Sequence, residues 1–110
     1  MAIAQTATSG ENLERTVRYL IDVVAQSDRT FIRNNEAHMG KEAAEHLKYK
    51  YEYFKEEIKT PEDFIRLAAT KSLMTGKPYL VKTKDGKQSE CAEWLGDVLD
   101  DYRKSQKKTP

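Results

Sequence analysis

Thr60-Pro61-Glu62-Asp63 fixes a helix start in the middle of the chain. The threonine hydroxyl can cap a free backbone N–H, proline suits the first helical turn, and two acids there face the positive end of the helix dipole. Gly76-Lys77-Pro78 ends helical continuation further on. A helix confined between the two signals carries Phe64, Ile65, Ala68 and Ala69 inward, with Ser72 inside its far end. The chain therefore has to break on both sides of this segment, which excludes one continuous coiled rod.

The flanking segments follow from periodicity. Leu13, Val17, Leu20, Ile21 and Val24 recur at helical spacing between Glu11 and Ser27, and Thr8 with Glu11 has the form of a capping box at the start. Arg29 to Asn34 contains Thr30, Phe31 and Ile32, which favour a pleated surface, and Asn34-Asn35 ends that strand. From Lys41 to Ile58 the positions Ala43, Leu47, Tyr51, Phe54 and Ile58 make the longest expected helix. Its Tyr49, Tyr51 and Tyr53 cannot all face the core, because positions two apart lie about 200° apart around a helix. Tyr79 to Thr83 reads as a strand that returns through Lys87 to Ser89 after a two-residue Asp85-Gly86 turn. Cys91, Trp94, Leu95, Val98, Leu99 and Tyr102 form the apolar stripe of a last helix.

These elements predict an α+β fold, mostly helical. About four helices pack on a small antiparallel sheet made of one strand near Phe31 and the hairpin from Tyr79 to Ser89. Residues 1–10 are expected as a disordered N-terminal segment, 11–102 as a single globular domain, and 103–110 as a basic flexible tail. A length of 110 residues fits one domain, and 34% charged against 38% hydrophobic residues leaves enough apolar side chains for one core. The net charge of +1 lacks the basic excess of a nucleic-acid binder, and no apolar run is long enough to span a membrane. A single cysteine, Cys91, excludes an intramolecular disulfide and every CxxC motif. Ala2-Ile3-Ala4 before Gln5 has the small-x-small form of a signal-peptidase site, so these residues are a possible signal-peptide remnant.

Phe31-Ile32-Arg33-Asn34, Glu42-Ala43-Ala44-Glu45-His46-Leu47 and Thr75-Gly76-Lys77-Pro78-Tyr79 follow one another in a recognisable order. Together they resemble the YfeK-like family of small exported bacterial proteins of unknown function. Its pattern runs F-[IV]-R-N, E-A-x-x-H-L, T-x-E-x-F-I and a serine-rich stretch ending in [ST]-G-K-P-Y. Thr60, Glu62, Phe64 and Ile65 match the third element, and Ser72 matches one serine. Asn35 stands where glycine commonly follows the first element. The resemblance implies a signal peptide and a periplasmic location, and it carries no activity with it.

The candidate ligand-binding residues are Arg33, Asn34, His46, Thr75, Lys77 and Tyr79. If the strand near Phe31 pairs with the hairpin, these groups converge near His46 and make a cluster richer in donors than acceptors, suited to a carboxylate or phosphate. The bland alternative makes them fasteners of the fold, with Asn34 as a turn residue and Tyr79 as a core aromatic. With the usual pKa of His46 near 6.5, anion binding is expected to tighten as pH falls through that region. His38, Glu42 and His46 are spaced for a metal, but HExxH is absent and no metal is expected. Ser72, His46 and Glu42 would make a hydrolytic triad, but no strained nucleophile turn surrounds Ser72. Cys91 opens an apolar stripe and reads as a small buried hydrophobe.

The expected function is thus a small non-enzymatic binding or interaction module of the bacterial envelope, taking an envelope protein or a small anionic ligand. No catalytic residue, cofactor or nucleic-acid partner is expected. The alternative is a small hydrolase or metal-dependent enzyme using His46 and its polar neighbours.

Overall fold

The computed structural model describes residues 11–107. The expected Thr8 cap and the Ala2-Ile3-Ala4 segment lie outside that range. In chain order the elements are α1 (Leu13–Gln26), β1 (Thr30–Arg33), β2 (Glu36–His38), α2 (Gly40–Tyr53), α3 (Pro61–Ala68), β3 (Leu80–Lys82), β4 (Gln88–Glu90) and α4 (Cys91–Lys107). The strands form one antiparallel sheet in the order β2-β1-β3-β4. The fold is α+β and mostly helical, as the sequence predicts.

Phe31 and Val81 are directly opposed across β1 and β3, and both turn into the core at 5% and 2% exposure. That alternation sets which face of the sheet meets the helices. Leu20 and Val24 of α1, Leu47 of α2, Phe64 and Ala68 of α3, and Leu95 and Leu99 of α4 close over it as one buried cluster. No helix among the described residues is long and apolar enough to cross a membrane.

Several local expectations are corrected. Asn12 caps α1, its side-chain oxygen accepting from the Arg15 amide at 2.9 Å. Asn34-Asn35 does more than end β1: both residues have positive φ, 54° and 69°, and they form a two-residue turn into β2. Such turns need the left-handed region at both centres, which asparagine tolerates and glycine adopts freely. The sheet therefore has four strands rather than three. Glu36-Ala37-His38 has no β-branched residue and is a strand through pairing with β1, not through propensity.

The helix expected to reach Ile58 ends at Tyr53, and residues 54–57 are turns that drop Ile58 into the core at 3% exposure. The inward periodicity survives the end of the helix, which is why the stripe overran it. The longest helix of the described residues is α4 instead, and it continues through Lys107 across residues expected as a loose basic tail. Thr60 caps α3 as expected, accepting from the Asp63 amide at 3.1 Å, but α3 stops at Ala68 and leaves Ser72 in a loop. The expected Asp85-Gly86 two-residue turn is a longer loop, since Lys82 pairs with Gln88 and Thr83 bonds back to Lys87.

Candidate functional site

Tyr79 precedes β3 and is held at both ends of its peptide unit. Its N–H donates to the Thr70 carbonyl at 2.9 Å, and its carbonyl accepts from the Cys91 N–H at 2.9 Å. This fastening aims the ring, only 7% exposed, at one face of α2. There the Tyr79 hydroxyl lies 3.2 Å from His46 Nε2 and 3.1 Å from Lys50 Nζ. His46 and Lys50 are four apart and so lie one above the other on that face. An ammonium can only donate, so Tyr79 Oη accepts from Lys50, and its own proton bonds His46 Nε2 when that nitrogen is the acceptor. With the imidazole proton on Nδ1 the chain of donors runs Lys50 to Tyr79 to His46.

Electrostatics favour a neutral imidazole. Burial, then the charges of Arg33, Lys50 and His38, lower the His46 pKa from 6.5 to about 4. Burial followed by Arg33 also lowers that of Lys50, while burial pushes the Tyr79 phenol up. With that pKa, no titration of His46 drives the tightening of anion binding expected through pH 6.5. His46 is neutral there, and cationic character comes from Arg33 and Lys50.

Lys50 is the residue that sequence reasoning missed. It is 4% exposed, and its ammonium also donates to the Lys71 carbonyl at 3.3 Å. The signal was present, because Lys50 falls three positions after the core residue Leu47 and shares the buried stripe of α2.

Above this floor, Asn34 ties two loops together. Its amide donates to Ser72 Oγ at 3.3 Å, and its carbonyl oxygen accepts from the Thr75 hydroxyl at 2.6 Å. Ser72 Oγ also accepts from the backbone of Met74 and Thr75, at 3.2 and 3.4 Å. Arg33, Asn34, His46, Lys50, Ser72 and Tyr79 surround a cavity of about 360 Å³. No aspartate or glutamate lines it, and neither Arg33 nor Lys50 has an ion pair among the described residues. Four of the six expected residues, Arg33, Asn34, His46 and Tyr79, thus share one cavity. Thr75 supports its wall through Asn34, whereas Lys77 lies outside the lining: its N–H donates to Thr75 Oγ1 at 3.2 Å and its side chain is exposed.

The enzymatic alternatives find no support in the geometry. His38 Nδ1 lies 3.4 Å from Glu42, whose carboxylate also caps α2 through the Met39 N–H, while His46 turns to Tyr79. Among the described residues no three His, Cys, Asp or Glu side chains converge as a metal site would require. No hydrogen bond joins Ser72 to His46, so the relay of a hydrolytic triad is missing. Cys91 is buried, and its thiol is pushed up to about 12, far from a reactive thiolate.

Fold and site together define a small α+β domain with a cationic cavity and no assembled catalytic relay among the described residues. The chain belongs to the family of unknown function DUF5329, whose pattern matches residues 11–103. It is 41% identical over 67 residues to the uncharacterized protein YfeK of Salmonella typhimurium, a match covering 60% of this chain and 56% of that relative. The matched stretch thus spans little more than half of the relative's length. No solved structure matches the chain.

Proposed function

We propose that this protein is a non-enzymatic binding module whose cavity takes an anionic group, a carboxylate or a phosphate. One observation carries the reading: Arg33 and Lys50 border one cavity that contains no acidic side chain. Cations placed together without counter-ions cost free energy unless something supplies the missing charge, and an anion does so with charge-assisted hydrogen bonds. Asn34 and Ser72 add neutral hydrogen-bonding groups at the same cavity.

We further propose that the module works after export. The Ala2-Ile3-Ala4 segment and the signal peptides typical of the YfeK-like pattern support this reading. Fractionation of cells making the full gene product tests it, and recovery in the cytoplasm alone would reject it.

The binding reading is tested by mapping NMR shifts with acetate and inorganic phosphate. Shifts are expected to cluster at Arg33, His46, Lys50 and Tyr79, with an acetate affinity that changes less than about twofold between pH 5.5 and 8, because His46 remains uncharged over that range. Arg33→Lys should weaken binding through loss of the planar fork. An absence of clustered shifts at every pH would leave these residues as fasteners of the fold.

A further inference from the structure

The rim of the cavity is as distinctive as its floor. The large exposed apolar side chains of the described residues are Tyr19, Met39, Tyr49, Tyr53, Leu73 and Met74, and the last four of these all border this one cavity. Tyr49 and Tyr53 stand one turn apart on α2, at 68% and 65% exposure. Leu73 and Met74, at 64% and 92%, face them from the loop that Asn34 and Ser72 hold in place. Isolated exposed apolar residues are ordinary, but a cluster of them around a polar pocket marks a binding surface.

Resting on the anion reading above, we infer that the cavity receives the free C-terminal carboxylate of a polypeptide whose last residues are apolar or aromatic. The charge fits, because one carboxylate placed between Arg33 and Lys50 supplies the counter-charge that the lining lacks. The extent fits as well. A small acid held between the cations leaves most of the exposed rim uncovered, whereas a chain running outward from its anchored end passes between the tyrosines and the Leu73-Met74 loop. A buried acyl tail fits poorly, since the inner crevice that shares Arg33, His46 and Tyr79 with the cavity holds only about 30 Å³, room for a few waters and far short of an acyl chain. The apolar part of the ligand must therefore lie outside, against the rim. Asn34 and Ser72 are placed to meet peptide amides beside the carboxylate, while rim and floor divide the work of specificity and charge recognition.

Calorimetry and NMR with the full chain test this. The probes are acetate, an N-acetylated tripeptide ending in phenylalanine, the same peptide as its C-terminal amide, a tripeptide ending in glycine, and laurate. The phenylalanine acid should bind at least tenfold more tightly than the glycine acid and than its own amide. Tyr53→Ser combined with Met74→Ser, both at exposed positions, should erase the preference for phenylalanine and leave the acetate shifts at Arg33 unchanged. Equal binding of the two acids, or of acid and amide, would overturn the peptide assignment while the acetate shifts kept the anion site. Laurate displacing the peptide would assign the rim to an acyl chain instead. If neither acetate nor any peptide shifts Arg33 and Lys50, both readings fall together.

Discussion

Tyr79 stands between a lysine that can only donate and the imidazole of His46, and its hydroxyl ties the cluster together. The consequence for stability has a definite sign. His46 has a pKa of about 4 when folded and about 6.5 when unfolded, so between those values the unfolded chain binds more protons. The His46 contribution should therefore lower stability as pH drops from about 6.5 toward 4, and level off below. Because the ring is only partly buried, solvent screening reduces the contribution to roughly 1–2 kcal/mol. Glu62, Asp63 and Asp85, held below the usual carboxylate range mainly by hydrogen bonds, add their loss only at lower pH. Urea midpoints from pH 7 to 5 should thus isolate His46, and His46→Gln should flatten that slope. A wild-type midpoint that does not move in this interval would contradict the neutral, half-buried imidazole.

At the scale of elements, one close approach of two helices depends on a residue without a side chain. Gly40 opens α2 against the end of α1, where an added Cβ would lie 2.3 Å from the Val24 carbonyl oxygen and 2.9 Å from that of Ser27. Neither neighbour is a flexible side-chain tip, so the helices would have to separate. Gly40→Ala is expected to cost about 2–3 kcal/mol, at the upper end of ordinary single substitutions. Thr60→Ala, which removes only the cap of α3, should cost about 1 kcal/mol. Chemical denaturation of the two variants ranks them, and a Gly40→Ala protein as stable as wild type would show that the α1–α2 contact is looser than described. The Asn34-Asn35 turn belongs to this scale too. Its positive φ at position 35 explains why a residue tolerant of that region stands where the YfeK-like pattern commonly has glycine.

Across the whole molecule, Arg103 links the two ends of the described chain. Its guanidinium grips Glu11 at 2.9 and 3.0 Å and reaches Glu62 at 3.1 Å, joining α4 to the start of α3 and to the residue before the α1 cap. The two carboxylates raise its own pKa further, so the clamp keeps its charge at every working pH. Bidentate pairing is what lysine cannot reproduce, and Arg103→Lys should cost about 1 kcal/mol, a modest sum because the group is partly exposed. A double-mutant cycle with Glu11→Gln at low and high salt should show coupling that weakens with salt. Zero coupling would place Arg103 among the ordinary surface charges.

Local chemistry determined the helix starts and stripes, the fold class and the polar composition of the cluster. Thr60-Pro61 marks a cap that depends on neighbours in sequence alone, and Phe31, Leu47 and Leu95 sit on faces that periodicity reveals. Tertiary structure decided the rest. Strand β2 exists because an asparagine turn folds it against β1, α2 stops where Ile58 has to reach the core, and Arg103 leaves the expected tail because two acids distant in sequence bind it. The site divides in the same way. Arg33, Asn34, His46 and Tyr79 were legible as residues able to hold an anion, but the state of His46 was not. Its proton depends on a buried Lys50 and on the Tyr79 hydroxyl, thirty-three positions further along the chain. Burial and through-space charge act between residues that only folding brings together, and no local pattern encodes them.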